Sequence, residues 1–484
     1  MFFSNNKPRL RFAPSPTGFL HFGSLRAALF GYLLAKSQKG KYLLRIEDTD
    51  QKREVAGATT SLIKVLETMG IHFDEGPHLK GKYGPYIQTQ RLAIYEKYAN
   101  QLLQENKVYR CFCSEDRLEK MRQEQAAHQQ APRYDRLCRN LDPEEITRRI
   151  KAGDKFVIRQ KMPLEGEVKV FDELRGEIVF PAKDLDDQVL IKSNGIPTYH
   201  FANVIDDHLM KITQVTRAAE WLPSFPKNIL LYQDLAWTPP QFIHLPLILN
   251  KEGGGKLSKR KGDVFVEDYL AKGYLPEAMI NFSVLLGWHS KNDQEIYSLK
   301  ELEKVFDIKG LGASPAVFDL EKLDFFNGYY IRQKPLKELS LLCRPYLEKA
   351  NRNVTDQQLE KFVSLSQERM KKLEDIVELT DFLFTQPIFA PELLRWKTLT
   401  LEEAKHNLEE IKIELEKINE PNWLKENLEK TILNWLKSTN RRNGDYLWPL
   451  RVALTGLQNS PGPFEAAWAL GRAESLSRIS LILQ

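Results

Sequence analysis

Leu25, Ala28, Leu29, Tyr32 and Leu33 recur at intervals of three and four residues, the spacing that lays one apolar stripe along an α-helix. The apolar "KPRLRFA" before them reads as a strand, so the helix begins near Gly23 and His21 sits at the carboxyl edge of that strand. The pattern repeats: "KYLLRIE" reads as a strand, "EVAGATTSLIKVLETMG" as a helix, and a further helix runs from about Arg91 to Gln104. Alternation of this kind predicts a parallel α/β sheet with helices packed on it.

From 107 to 186 the alternation breaks into a Gln-rich helical stretch, "EKMRQEQAAHQQ", a cysteine-bearing segment and short strands such as "KFVIRQ" and "EIVF". That composition predicts an inserted α+β piece. Alternation resumes with "DQVLIKS", "LMKITQVTR", a helix around Trp221 to Tyr232, and "FIHLPLIL". Beyond Gln333 helical periodicity runs almost without interruption, and five of the eight tryptophans lie there to anchor a core, which predicts a separate all-helical region.

A length of 484 residues at 42% hydrophobic composition gives room for two to four domains, each with its own core. The formal charge of +5 suits a polyanionic partner without requiring one. No apolar run approaches the ~20 residues that span a bilayer, and "MFFSNNKPRLRF" lacks the features of a secretory leader, so a cytoplasmic location is expected. Four cysteines in a chain this long, three of them at 111, 113 and 138, do not make a disulfide framework. They leave reduced thiols or a metal site.

Two stretches carry candidate chemistry. In "RFAPSPTGFLHFGSLRAALFGYLLA" a helix N-terminus at a sheet edge offers free N–H groups and the positive end of the helix dipole to a phosphate. Gly23 admits a ligand close to the backbone, His21 can donate to a phosphate oxygen, and Pro14 and Pro16 stiffen the approach. A purely local alternative makes His21 a helix cap and the prolines a shaped turn. In "NKEGGGKLSKRKGD" the glycines Gly253 to Gly255 allow movement, while Lys256, Lys259, Arg260 and Lys261 can neutralise charge on a transferring phosphoryl group; a solvated basic turn is the alternative. A third stretch, "GPHLKGKY", fits the spacing of a P-loop, yet Tyr83 stands where that loop needs Ser or Thr for magnesium, and it is expected to be a surface loop.

"APSPTGFLHFGS" and "KLSKR" resemble the two motifs of class I aminoacyl-tRNA synthetases. With "RFAPSPTG", "LRIEDTD", "PTYHFANVIDDH", "TRAAEWL", "LRVALTG" and "SPGPFEAAWALG", in one order over nearly the whole chain, the sequence resembles the bacterial-type glutamyl-tRNA synthetase family. The resemblance implies a Rossmann-type catalytic domain over 1–106 and 187–245, with an inserted domain for the tRNA acceptor end over 107–186. It also implies a stretch carrying the second motif over 246–332 and a helical anticodon-binding region over 333–484. The glutaminyl enzyme shares the class motifs, but its first motif is worded differently and its anticodon-binding part is a β-barrel.

By the same resemblance Arg11, Ala13, Ser15, Glu47, Tyr199, Asn203 and Arg217 fall on the amino-acid-binding positions. The chemistry agrees, because an acidic side chain needs a fixed cation and an Arg fork can meet a carboxylate bidentately, while Glu47 can meet an ammonium. Glu47 and Arg217 are each expected just after a strand, where α/β proteins bind ligands; taken singly, either could be an ordinary ion pair. His21, Gly23, Glu220, Leu257, Ser258 and Lys259 would border ATP, with His21, Lys256 and Lys259 as the catalytic groups and Mg²⁺ accompanying the nucleotide. The implied reaction has no covalent enzyme intermediate. The substrate carboxylate attacks the α-phosphorus, pyrophosphate leaves, and a terminal ribose hydroxyl of tRNA(Glu) takes the acyl group.

Relatives with zinc in the insert show C-x-C followed by C-x-H or C-x-D. Here Cys111, Cys113 and Cys138 keep the thiols but Asn140 occupies the fourth position, so a weakened zinc site and three leftover thiols are both open. Arg133, Arg136 and Arg139 beside Cys138 are candidates for phosphate contacts in the acceptor end. The expected enzyme is a monomer that binds L-glutamate, ATP and tRNA(Glu) and no membrane. Its rivals are an RNA-binding protein with a retired catalytic centre, the truncated relative that modifies tRNA with glutamate, and a small-molecule nucleotidyltransferase. The truncated relative lacks the helical region, the nucleotidyltransferase would have no use for it, and intact His21, Lys256 and Lys259 argue against the first. The wording of the sequence does not separate charging of the glutamate tRNA alone from charging of the glutamine tRNA as well.

Overall fold

The strand-then-helix order of the first hundred residues is present in the computed structural model, which describes residues 7–50, 55–251, 255, 257 and 264–484. Strand β1 (Arg9–Phe12) leads into α1 (Phe22–Ser37), and β2 (Lys41–Leu44) into α2 (Ala58–Thr68), with α3 spanning Leu92–Gln104. β1 and β2 pair in parallel, Arg9 opposite Lys41 through Phe12 opposite Leu44. The whole of the apolar stripe on α1 is buried, but so are Phe22, Arg26, Phe30, Leu34 and Ala35. The helix is therefore enclosed on more than one side. It lies on the sheet, where Gly31 admits the Tyr42 ring so closely that a Cβ would stand 2.9 Å from it. Its other side meets the segment from 279 to 320, where Phe30 packs on Phe306 and Arg26 donates to the Leu286 carbonyl.

Residues 107–186, the expected insert, hold β3 (Val108–Cys111), α4 (Glu115–Ala127), α5 (Pro143–Lys151), β4 (Val157–Gln160), and the hairpin β5 (Glu167–Asp172) and β6 (Gly176–Pro181). After β7 (Val189–Ile191) come α6 (Tyr199–Leu209), β8 (Gln214–Ala218), α7 (Phe225–Asp234) and β9 (Gln241–Leu245). β3, β4 and β7 form one antiparallel sheet. The other sheet runs β6-β5-β9-β8, so the hairpin of the insert joins the edge of the parallel pair β8–β9. β1 reaches that pair through Thr213, whose N–H donates to the Arg9 carbonyl at 2.9 Å. "FIHLPLIL" is thus not one strand: Pro246 ends β9, and β10 (Ile248–Asn250) pairs in parallel with β11 (Ala316–Phe318) in a separate ribbon.

The chain divides into two compact units, the first made of residues 1–269 and 279–320 and the second of 270–278 and 321–484. Within the second unit every described element is helical, including α8 (Leu401–Glu416), α9 (Lys425–Ser438), α10 (Asn443–Thr455), α11 (Pro463–Leu470) and α12 (Arg472–Leu483). Leu408, Ile411, Leu415, Ile432, Leu436 and Leu450 fill its core, and Trp423 donates its ring N–H to the Ala467 carbonyl at 2.9 Å, so this tryptophan is both packed and satisfied. No helix among the described residues is long and apolar enough to cross a membrane.

Candidate active site

The first motif is held by its own backbone. The carbonyl of Pro14 accepts from the N–H of Glu47 at 3.0 Å and that of Pro16 accepts from Val55 at 3.0 Å, which ties the loop between β1 and α1 to the chain leaving β2. At its end His21 caps α1, its Nδ1 accepting from the Gly23 N–H at 3.0 Å. Capping and ligand binding are therefore compatible. A backbone N–H cannot accept, so Nδ1 is bare, and in the neutral ring the proton sits on Nε2 as a donor. A side chain at position 23 would crowd that ring, since a Cβ would lie 3.3 Å from Nδ1.

An open cleft of roughly 930 Å³, within the range of small-molecule sites, runs past this helix end. Its walls include Arg11, Ala13 and Ser15 from the first motif, His21 and Gly23, Glu47, Tyr199, Arg217 and Glu220, and Leu257. Asn203 stands behind the wall and donates to Glu47 Oε1 at 3.0 Å. The sequence-derived residues are thus brought together by β1, β2, α6 and β8. Arg217 lies within β8 and not after it, one place from the strand's end; the expected position was one step too late because the turn that follows is a 3₁₀ turn starting at Ala219. Gly253, Gly254, Lys256, Ser258, Lys259, Arg260 and Lys261 lie outside the described residues. Gly255 and Leu257 are tied to β10, Asn250 N–H donating to Gly255 O at 2.9 Å and Leu257 N–H to Ile248 O at 3.0 Å.

A buried ionic network fixes Glu47. Arg45 Nη2 donates to its Oε1 at 2.9 Å, while Arg45 Nη1 and Arg11 Nε both donate to Asp207 Oδ1, at 2.7 and 3.0 Å. Burial alone would raise Asp207, but Arg11 and Arg45 outweigh it and hold its carboxyl below the ordinary range. Glu47 has its pKa raised by burial, opposed by Arg45 and Arg11. Its second oxygen, Oε2, is buried and has no hydrogen-bond partner among the described residues. A buried carboxylate oxygen without a donor is costly unless a ligand supplies one.

Arg217 is buried and held from three directions. Its Nε donates to His244 Nε2 at 2.8 Å, both Nη atoms approach Asn228 Oδ1 at 3.3 Å, and the guanidinium carbon stands 5.0 Å from the Phe242 ring centroid. Tyr199 opens α6 and stacks on Trp221 with ring centroids 4.5 Å apart; burial pushes its hydroxyl up to about 12, so it stays a neutral donor. The cleft thus places an acceptor in need of a cation, a cation with spare donors, and a helix N-terminus within one wall system.

The sequence model of the family described as tRNA synthetases class I (E and Q), catalytic domain, matches residues 7–325. The chain belongs to that family. A model described as an anticodon binding domain matches residues 338–483. Among curated relatives, a glutamate–tRNA ligase of Clostridium botulinum is 43% identical over 479 residues, covering 98% of this chain and 98% of the relative. One of Clostridium tetani is 43% identical over 481 residues, covering 99% and 98%. Among solved structures, a glutamate tRNA ligase from Elizabethkingia meningosepticum in complex with its amino acid has a TM-score of 0.89 at 35% identity, covering 99% of both chains. The glutamate-tRNA synthetase of Elizabethkingia anophelis has a TM-score of 0.90 at 35% identity over 99% of this chain and 100% of that one.

For a class I synthetase of this group the three insert cysteines matter next. Their sulfurs lie within 4.8 Å of one another, close enough to share one ion. The hydroxyl of Tyr134 stands 3.2 Å from Cys111 Sγ and 3.4 Å from Cys113 Sγ and accepts from the Cys138 N–H at 3.0 Å. A hydrogen bond between Cys138 and Cys111 holds the Cys111 thiol well below the usual thiol range and pushes that of Cys138 up, so the two sulfurs share one proton. Three sulfurs this close are compatible with zinc, with one ligand place beyond the three thiols. Arg133, Arg136 and Arg139 are already engaged, with Asp184 at 2.8 Å and with the buried Asp187 at 3.5 and 3.0 Å, so each has an internal partner that a phosphate would have to share or displace.

The sequence reading did not single out Arg45, Asp207, Asn228, Asp172 or His244. One signal was present for the last: a titratable ring inside the apolar strand "QFIHL" is a buried polar group that must have a partner.

Proposed function

We propose that this class I synthetase is a glutamate–tRNA ligase that uses ATP to form glutamyl-adenylate and then charges tRNA(Glu). The observation that carries the reading is the pair Glu47 and Arg217, opposite charges buried in the wall of the cleft that the N-terminus of α1 also enters. Glu47 Oε2 receives the substrate ammonium, and the Nη atoms of Arg217 receive a substrate carboxylate. Arg11, through its pairing with Asp207, keeps that wall from carrying net negative charge against the substrate.

His21 donates from Nε2 to a phosphate oxygen of ATP, beside the free N–H groups of α1. Glu220, Leu257 and Ser258 border the nucleotide, and Mg²⁺ accompanies it. Lys256 and Lys259 neutralise the charge that develops as the glutamate carboxylate attacks the α-phosphorus and pyrophosphate departs. A ribose hydroxyl of the terminal nucleotide of tRNA then attacks the acyl carbon, giving glutamyl-tRNA and AMP. The carboxylate is already nucleophilic, so the protein supplies orientation and electrostatics and forms no bond to substrate.

The insert over 107–186 holds the acceptor end, 246–332 carries the cationic motif and stem contacts, and 333–484 reads the anticodon. Cys111, Cys113 and Cys138 would hold zinc, which crosslinks the insert when bound and takes no part in adenylate formation. The protein works as a monomer in the cytoplasm. Incubating purified protein with ATP, Mg²⁺, tRNA(Glu) and labelled glutamate tests the activity: acid-precipitable glutamyl-tRNA with stoichiometric AMP is expected. Absence of glutamate charging, with another amino acid charged instead, contradicts it.

A further inference from the structure

Arg217 and His244 are direct cross-strand partners in the parallel pair β8–β9, so both side chains project from the same face of the sheet. Asp172 ends β5, the insert strand that pairs with β9 two residues before His244. The three side chains form an unbroken chain. Arg217 Nε donates to His244 Nε2 at 2.8 Å, and His244 Nδ1 meets Asp172 Oδ2 at 2.7 Å. Neither His244 nor Asp172 is exposed to solvent, so no water can take over either bond.

The direction of each bond follows from chemistry. A guanidinium N–H can only donate, so His244 Nε2 must be bare; the ring proton is then on Nδ1 and is donated to Asp172. Asp172 is itself fixed. Its Oδ2 accepts from the His244 backbone N–H at 2.9 Å, and its Oδ1 accepts from the N–H groups of Leu174 and Arg175, both at 3.1 Å, in the turn of the β5–β6 hairpin. Phe225 and Phe242 pack against the imidazole at 4.7 and 6.1 Å between centroids.

We propose that Asp172 and His244 are positioning residues that set the orientation of the Arg217 fork for the substrate carboxylate. The inference rests on Arg217 binding that carboxylate. An imidazole suits the task better than a carboxylate in direct contact with Arg217 would. It satisfies Nε without supplying a full negative charge, so the guanidinium keeps its charge for the ligand, and the Nη pair is the part left to meet it. The negative charge sits one residue further back, on Asp172, which also meets Arg175 Nη1 at 3.3 Å. Burial pushes His244 down to about 4, which keeps it an acceptor at neutral pH. A consequence is that an amino-acid contact is held by a strand of the insert.

Three variants of the full-length enzyme test this in tRNA charging: His244→Ala, His244→Gln and Asp172→Asn. The last keeps the shape of the site but sets an amide NH2 where a carboxylate oxygen accepts: against Nδ1 and the His244 N–H, favouring the tautomer whose Nε2–H opposes Arg217, or against the Leu174 and Arg175 N–H groups, unseating the group that holds the ring. His244→Ala and Asp172→Asn should raise the glutamate KM by about 10-fold or more, with ATP and tRNA KM values within about 2-fold and kcat at saturating glutamate little changed. His244→Gln, whose Oε1 can still accept from Arg217, should stay within about 3-fold of the parent. Thermal melting reports folding separately; if His244→Ala does not fold, Asp172→Asn and His244→Gln decide. An unchanged glutamate KM in Asp172→Asn, an equal rise in all three KM values, or a glutamate KM in His244→Gln raised as far as in Asp172→Asn overturns the proposal. A parent enzyme that charges no glutamate instead defeats the functional reading on which the proposal rests.

Discussion

Asn203 donates its side-chain amide to Glu47 Oε1 at 3.0 Å, and with Arg45 on the same oxygen this leaves Oε2 as the buried atom without a donor. The carboxylate is thus oriented by protein on one side and open on the other. Replacing Glu47 by Gln removes the charge that meets an ammonium while nearly preserving shape. The glutamate KM should rise by a factor corresponding to about 2 kcal/mol, with a smaller loss of thermal stability because Arg45 keeps Asp207. A glutamate KM equal to the parent's would remove Glu47 from the substrate.

Arg217→Lys is not a conservative change here. A single ammonium cannot satisfy His244, Asn228 and a ligand carboxylate from one position, whereas the guanidinium does so with separate nitrogens. Arg217→Lys and Arg217→Ala should both lower kcat/KM for glutamate by about 2 kcal/mol or more and leave the ATP KM nearly unchanged. Full activity in the Lys variant would mean that only net charge matters at this place.

Stability should depend on pH through His244. Burial lowers its folded pKa to about 4, against an unfolded value of about 6.5, so the unfolded chain binds the proton first. The contribution is fully present above about pH 6.5 and is lost as pH falls toward 4, up to about 3 kcal/mol. Asp172 acts with the same sign at lower pH: burial would raise it, but the bonds from His244 hold its carboxyl below the ordinary range. Urea midpoints at pH 7 and pH 5 check this. The parent should lose more than His244→Gln, and equal losses would contradict the assignment.

Zinc is tested without any reference to catalysis. Protein purified without chelator should carry near-stoichiometric zinc that disappears in a Cys111→Ser/Cys113→Ser double variant, and proteolysis of the zinc-free protein should begin in the insert. Adenylate chemistry should persist because these cysteines are not in the cleft. The expected defect is weaker, more salt-sensitive tRNA binding. Zinc-free protein with full tRNA affinity would make the thiols remnants.

Much of the site was readable from short-range pattern. His21 and Gly23 follow from where the α1 periodicity begins. Arg11, Glu47, Tyr199 and Arg217 were assigned through the resemblance, with local support only for Glu47 and Arg217, each expected beside a strand end. Of the residues that orient them only His244 left a local signal, a titratable ring inside an apolar strand, and its partners were not legible. Asp172 is about seventy residues from His244 in sequence, and only the pairing of β5 with β9, across the boundary of the insert, brings the two together. Likewise the stripe on α1 predicted one buried face, yet a second layer from 279 to 320 covers more of the helix, and no local pattern announces a distant layer.

The most direct test of the central claim compares two stable analogues of the adenylate intermediate that differ only in the side chain, one carrying the glutamate carboxylate and the other the glutamine amide. Inhibition constants against tRNA charging measure what the cleft discriminates at equilibrium. A wall that ends in Arg217, with its Nε spent on His244 and each Nη keeping one N–H beyond its bond to Asn228, predicts that the acidic analogue binds tighter by about 2 kcal/mol or more, roughly 30-fold. It also predicts that Arg217→Ala removes most of that difference. Equal inhibition by the two analogues in the parent enzyme would contradict the account.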